Sequence, residues 1–438
     1  MSSSISWYEA PTLKLSKRAT LLAGLLLMLL VANLGWAQTP APWALGGSRA
    51  EDLAVRLVTI APSDPIYTRW GHSALIVEDL RLGISRFYNY GLFSFDQERF
   101  ILDFTMGRLW FQVGASETER ELAYYRYLGR SIRIQTLNLP PDKRLEMARF
   151  LENNILPQNR TYLYDHYDDN CATRVRDLID ATVDGQLAEA AAVPGRMTLR
   201  EHTRRYIEGN FFMDWLLMFL MSDVIDHPIT RWEEMFLPDE VERNVAALRY
   251  TDETGRERPL VSESVLYFDA PGQRPVADRA SPLWFRALIP GLILGLPAVL
   301  FGILIRRGIR NRGKKTGWTL FGIYSAAAGL ILGLPGSALF FMSTFTDHTV
   351  TYGNENLFLT NPLTLAALPL GMVAAFGRGK TGRRLLQLFW FLLAGLVCVY
   401  LLLKIFPFFD QQNGPAIATI LPVLCAFAAA AGLSWKRA

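Results

Sequence analysis

The chain has little cysteine and little histidine. Three cysteines occur in 438 residues, and two of them, Cys398 and Cys425, lie in long apolar runs near the C-terminus. Cys171 therefore has no partner outside those runs, which excludes a disulfide-stapled scaffold and a paired CxxC metal site. The five histidines, His72, His166, His202, His227 and His348, form no HExxH pair. GxSxG, Walker A and Rossmann fingerprints are missing too, so the sequence calls for no nucleotide or other cofactor. The net charge is only +4. No basic stripe with interleaved aromatics occurs before residue 283, which argues against a nucleic-acid partner. There is no repeat at a period of about 20 to 50 residues.

What the chain does have is apolar residues, half of the total, and they are unevenly placed. Near the start, Lys14, Lys17 and Arg18 precede an uncharged run that ends in Gly35, Trp36 and Ala37, a small-x-small pattern. Residues 1–37 read as a Sec-type signal peptide or, alternatively, as an uncleaved anchor helix; either one carries the next segment across a membrane. From about residue 283 five runs of spanning length follow, roughly 285–305, 318–342, 357–377, 385–406 and 415–434. Arg306, Arg307, Arg310, Arg312, Lys314 and Lys315 follow the first run. Arg378, Lys380, Arg383 and Arg384 follow the third, and Lys436 and Arg437 the fifth. All three clusters fall on one side, expected to be cytoplasmic, so residues 38–283 face outward and residues 284–438 form an all-α membrane domain.

In the outer part, "LAVRLVTIAP", "SALIVED", "ISRFYNYG", "RLWFQVGA" and "RSIRIQTLNL" read as strands. "SFDQERFILDFTMG", "SETERELAYYRYLG" and the segment opened by Pro140 and Pro141 read as helices between them. Strands and helices that alternate without a βαβ rhythm predict an α+β domain. "FFMDWLLMFLMSDVID" predicts an apolar helix, either buried inside that domain or packed on the bilayer surface or the membrane helices.

"DDNCATRVRDLIDAT" carries the chemistry. Cys171, Val175, Leu178, Ile179 and Thr182 recur at helical spacing behind Asp168, Asp169 and Asn170, which are candidate N-caps. Cys171 then stands in the first turn, where free N–H groups and the positive end of the macrodipole stabilise a thiolate. It is either a small buried hydrophobe or a nucleophile, and a nucleophile needs a base. His72, at the start of a strand in "RWGHSALIVED", and His166, five residues before the cysteine, are the candidates; His202 and His227 are read as structural. A thiol beside a base supports acyl transfer through a thioester, with the N–H groups of Cys171 and Ala172 as the expected oxyanion donors. Asp165, His166, Asp168, Asp169 and Cys171 also make a possible metal set, but their spacing matches no known pattern, and aspartates here serve as caps and turn formers.

"RWGHSALIVED", "FYNYGLFSFD", "PQNRTYLYDHYDDNCATRVRDLID" and "DHTVTYGNENLFLTNPLTL" together resemble the family defined by the Lnb N-terminal periplasmic domain, that of lipoprotein intramolecular transacylases and their relatives. The resemblance covers roughly residues 50 to 250, with a similar membrane layout. It implies a permuted papain-like (NlpC/P60-like) fold in which the histidine strand precedes the cysteine helix. It also implies His72 and Cys171 as the catalytic pair, and a site in the bacterial inner membrane with the catalytic part outside. The activity it implies moves a fatty acyl chain from the diacylglyceryl group of a lipoprotein to the amine of its N-terminal cysteine. Lipid or lipoprotein is then the partner, and nothing sets an oligomeric state.

On this reading Asp169, Asn89 or Glu78 orients His72, while Trp70, Tyr88 and Tyr90 either line the cleft or are plain core. His348, Asn354 and Asn356, in an outer loop on the side of Cys171, either hold a headgroup or cap and connect two membrane helices. Cys171 and His72 are expected within hydrogen-bond reach or slightly beyond. The rival readings are a cell-wall peptidase or amidase, and a non-enzymatic anchored module in which Cys171 is structural.

Overall fold

The computed structural model describes residues 39–93, 99–273, 275–308, 311–377 and 379–437. The expected export segment, residues 1–37, lies outside them, as do Arg310, Arg378 and part of the helix expected from "SFDQERFILDFTMG".

The described strands are β1 (Leu53–Ile60), β2 (His72–Asp79), β3 (Ile84–Leu92), β4 (Leu109–Glu117), β5 (Ile132–Leu137), β6 (Thr161–Tyr164), β7 (Arg249–Thr251), β8 (Glu257–Pro259) and β9 (Val261–Phe268). Seven of them form one antiparallel sheet in the order β6-β4-β3-β2-β1-β5-β9, and β7 and β8 form a hairpin. β1 is central and almost wholly buried, as its near-continuous aliphatic run requires. Alternation divides the sheet into two apolar faces. Val55, Leu57, Leu75, Val77 and Tyr88 point to one face, where the helix Cys171–Thr182 packs through Val175, Leu178 and Ile179. Val58, Ile60, Ala74, Ile76 and Phe87 point to the other, beneath the helix Thr118–Tyr127. Each fully buried aliphatic side chain contributes about 1.5–3 kcal/mol, so these two layers hold the strand that carries His72.

Five helices long and apolar enough to cross a membrane follow: Trp284–Arg307, Gly313–Phe345, Glu355–Phe376, Lys380–Leu403 and Gly414–Ser434. Gly291 and Gly302 let the first lie directly on the backbone of the last, the small-residue contact common between membrane helices. The architecture is thus a mixed α/β part with an antiparallel sheet, followed by a helical part with five apolar helices.

The apolar helix Phe211–Leu220 resolves the choice left open by the sequence. Phe219 is buried in the core of the membrane helices, with Trp215 and Leu220 packed against that core, and Trp215 Nε1 donates to Thr419 Oγ1 at 3.0 Å. The helix docks on the membrane part instead of entering the core of the sheet. Its high apolar content on more than one face is satisfied by that second partner.

Candidate active site

The cysteine helix begins where Asn170 leaves the chain extended. Asn170 Oδ1 accepts from the N–H groups of Ala172 and Thr173 at 2.7 and 3.0 Å, and Thr173 Oγ1 accepts from Asn170 N–H at 2.8 Å. A reciprocal cap of this kind stabilises a helix start by about 1 kcal/mol. Asn170 Nδ2 also donates to the carbonyls of His166 and Phe236, at 2.6 and 3.0 Å, tying the helix start to two flanking segments.

Cys171 follows in the first turn, half-buried. Its thiol is approached by the backbone N–H groups of Ser73, Ala172 and Cys171 itself. The Ser73 N–H is left over because the β2–β3 ladder stops at Ala74↔Asn89, so on that side it meets sulfur instead of a strand. Both expected donors, Cys171 N–H and Ala172 N–H, thus lie by the thiol, the latter also bonded to Asn170 Oδ1; Ser73 N–H was not anticipated, although its place directly after His72 was a usable signal.

His72 is the first residue of β2. Its Nε2 lies 2.7 Å from Asn89 Oδ1, and an amide oxygen only accepts, so Nε2 carries the hydrogen and Nδ1 is left as the base. Of the three candidate orienting groups the structure brings Asn89 to the imidazole. Asp169 is held by a bidentate pair with Arg174 at 2.6 and 2.7 Å, and Glu78 by Arg56.

Gly91 marks where the two groups converge. A Cβ on Gly91 would stand 3.8 Å from Cys171 Cβ and 3.9 Å from His72 Cε1. Its φ of +91 is one that side chains other than glycine rarely adopt. Among the described residues no hydrogen bond joins the thiol to the imidazole; they are neighbours across a gap, and apo sites commonly show such looseness.

The electrostatics place both groups in their neutral forms. Burial pushes the Cys171 thiol up, against the pull of the three N–H groups and of Arg130. Burial, and then the charge of Arg130, lower His72 to about 4, against the hydrogen bond to Asn89. The thiolate expected from the helix terminus is thus outweighed by desolvation: the N–H donors are present, but removal from water costs the anion more. Arg130 was not anticipated. Its side chain is 3 % exposed, Nε donates to the Ala61 carbonyl at 2.7 Å, Nη2 is buried without a partner, and its guanidinium lies 5.4 Å from the Tyr125 ring. Tyr162 and Tyr164 lie beside Cys171, and burial raises both phenols.

The remaining candidates are elsewhere. Tyr88 and Tyr90 do not line a cleft. Both are in the core, where Tyr88 donates to Glu152 at 2.6 Å and accepts from Trp43 Nε1 at 3.0 Å, and Tyr90 accepts from Asn154 at 2.8 Å. Trp70 packs edge-on against His166 at 4.6 Å, and the His166 ring also touches Tyr167 and Phe236. Its Nδ1 pairs with Tyr164 Oη at 3.2 Å. His202 is fully buried and bonded to Glu234 at 2.8 Å. Asn354 and Asn356 are buried, and their amides donate to the carbonyls of Leu220 and Phe219, each at 2.8 Å. Those bonds join the outer loop to the end of the helix Phe211–Leu220. His348 is half-buried in the same loop. Asp165 Oδ1 accepts from the N–H groups of Tyr167 and Asp168, a turn-forming role. Two cavities, of about 630 and 210 Å³, lie against the sheet, one beside the helix Thr118–Tyr127 and one behind Gly71; neither is lined by Cys171 or His72.

The position of the site in the fold completes the geometry. β2 starts at His72, β3 ends past Asn89 and β4 starts at Leu109, all at one end of the sheet. Just before β4, the Met106 carbonyl accepts Asp347 N–H at 2.8 Å and Arg108 pairs with Asp347 at 2.6 Å. Asp347 lies in the loop after the second membrane helix. The end of the sheet that carries His72 and Cys171 is the end that meets the membrane part.

Fold and site together define a multi-pass membrane protein that presents a mixed α/β domain above its spans. The Lnb N-terminal periplasmic domain matches residues 40–205 and the Lnb transmembrane domain matches residues 286–436, and the chain belongs to the Lnb family. No curated protein and no solved structure matches it.

Proposed function

We propose that this protein is a membrane-bound cysteine acyltransferase that moves a fatty acyl chain from a lipid ester to an amine, with bacterial lipoproteins as substrate. The reading rests on one observation: Cys171 and His72 converge on Gly91, with Asn89 bonded to Nε2 of the imidazole, at the sheet end that touches the membrane part. Residues 38–283 act as the catalytic domain outside the bacterial inner membrane and residues 284–438 as its anchor. The permuted papain-like assignment belongs to the same proposal, since the roles follow the Cys–His–Asn order of that class of thiol enzyme.

His72 Nδ1 takes the proton from Cys171 as sulfur attacks the ester carbonyl. The tetrahedral oxyanion forms beside the N–H groups of Ser73 and Cys171. Collapse breaks the ester C–O bond, and imidazolium returns its proton to the departing alkoxide, leaving an acyl thioester on Cys171. The incoming amine then attacks the thioester; His72 accepts the amine proton and passes it to the released thiolate. No metal or cofactor is needed for the atoms and charges to balance.

The test is incubation of membranes containing the full-length chain with a synthetic diacylated lipopeptide, followed by mass spectrometry of acyl position. The expected product carries one acyl group on nitrogen and a free hydroxyl, and Cys171→Ser makes none. Cleaved peptide with its lipid intact would instead identify a peptidase or amidase. Full cellular function in a well-accumulated Cys171→Ser protein would leave Cys171 a structural residue.

A further inference from the structure

The short helix Phe100–Thr105 has no buried residue, and its apolar side chains point outward: Ile101 is 81 % exposed, Phe104 53 % and Leu102 49 %. Apolar side chains clustered this way mark a surface that water is not meant to cover. What lies beside the helix identifies the cover. The segment that leaves it is fastened to the outer loop after the membrane helix Gly313–Phe345 by the Met106–Asp347 and Arg108–Asp347 bonds. At Gly107, φ is +79 and a Cβ would come within 2.8 Å of the Asp347 backbone, so only glycine permits the contact. The last turns of that membrane helix expose Phe340, Phe341 and Phe345. One apolar surface therefore runs from the end of a spanning helix onto the helix Phe100–Thr105.

We propose that the helix Phe100–Thr105 dips into the lipid of the facing leaflet and forms an apolar lip between the bilayer and the cysteine. Aromatic and aliphatic side chains at the end of a span sit at the boundary between headgroups and acyl chains. From the lip the chain enters β4, where Leu109 is paired with Tyr164 and Phe111 stacks on Tyr164 at 4.3 Å. An acyl chain can thus follow protein from the leaflet to the end of the sheet that carries Cys171, its ester remaining at headgroup depth.

The test uses the full-length chain in vesicles of phosphatidylcholine and phosphatidylglycerol, with Cys171, Cys398 and Cys425 replaced by serine. An environment-sensitive fluorophore is attached in turn at Ile101→Cys, Phe104→Cys and, at the opposite end of the sheet, Leu80→Cys. The first two labels are expected to emit to the blue of the third and to be quenched when part of the lipid carries a nitroxide on its acyl chain. A water-like spectrum at Ile101→Cys overturns the proposal. So does a blue-shifted label that nitroxide lipid fails to quench, which would mean that protein covers the lip. Neither measurement needs turnover, so the outcome is separate from that of the acyltransferase reading.

Discussion

His72 Nε2 and Asn89 Oδ1 stand 2.7 Å apart, and this bond places the imidazole hydrogen on Nε2 and leaves Nδ1 as the basic nitrogen. Replacement of Asn89 by Ala frees the ring to rotate and to take the other tautomer. Turnover of the lipopeptide should fall by about 100-fold, the scale of a general base lost from alignment. Alkylation of Cys171 by iodoacetamide, which needs no aligned base, should change far less. Equal losses in both measurements would mean that Asn89 holds the fold and not the ring.

A second prediction concerns pH. His72 is lowered to about 4 by burial and by Arg130, and the thiol is raised by burial, so the resting pair is neutral over the whole range between. Turnover should therefore persist well below pH 6 and lose its acid limb only near pH 4. Iodoacetamide should modify Cys171 slowly at pH 7 and faster above the ordinary thiol range. Among the described residues the charged and titratable groups facing this site include Arg130, Tyr124 and Tyr125 from around the helix Thr118–Tyr127 and Tyr162 and Tyr164 from β6, with Cys171 and His72 themselves. Arg130→Gln removes that positive charge, so the His72 limb should move up and alkylation should require a higher pH. Arg130→Lys, which keeps the charge, should follow the wild-type profile. Superimposable profiles for the Gln variant would remove Arg130 from the site's electrostatics.

How far the site was legible follows from the range of each signal. The cysteine helix could be read because cap, apolar spacing and first-turn cysteine all lie within fifteen residues, and Val175, Leu178, Ile179 and Thr182 are buried at the spacing that pointed to them. The five spans were legible for the same reason: length and hydropathy are local. Asn89 was one of three candidates because the sequence does not show the register that sets it beside β2. Arg130 was invisible: a single arginine after Gly129 becomes special only when the fold buries it beside β1 with an unpartnered nitrogen. Tyr88 and Tyr90 left cleft and core both open, because alternation along a strand does not say whether its apolar face meets a cleft or a packed layer; here it is core. The edge strands β6 and β9 were missed, one being only four residues long and the other showing no clean alternation of burial.

Gly91 gives a steric prediction. Its φ of +91 makes any side chain strained, at about 1–2 kcal/mol, while the space for a single Cβ is open at 3.8 Å from Cys171 and 3.9 Å from His72. Gly91→Ala should lower the melting temperature modestly and leave Cys171 open to iodoacetamide. Gly91→Val puts methyl groups into the gap between thiol and imidazole, and should abolish turnover and slow alkylation strongly. Normal turnover in the Val variant would place the reacting gap elsewhere.

The last prediction separates two roles for the outer loop. Asn356 Nδ2 donates to the Phe219 carbonyl and its Oδ1 accepts from Asn413 Nδ2, both at 2.8 Å. Nearby Glu355 pairs with Lys404 Nζ at 2.8 Å and accepts from Tyr400 Oη at 2.7 Å. Asn356 is fully buried, so Asn356→Ala removes two buried hydrogen bonds, at about 0.5–1.5 kcal/mol each, while the Phe219 carbonyl keeps Asn354 Nδ2 at 3.2 Å and Asn413 Nδ2 keeps Tyr400 Oη at 2.7 Å. The variant should melt earlier in detergent and expose the helix Phe211–Leu220 to limited proteolysis. The pH midpoint of Cys171 alkylation should stay where it is, because no bond of Asn356 reaches the thiol. A headgroup ligand would behave in the opposite way: KM for the lipid substrate would rise while melting and proteolysis stayed unchanged. Since the amide is already spent on Phe219, the loss should appear as stability.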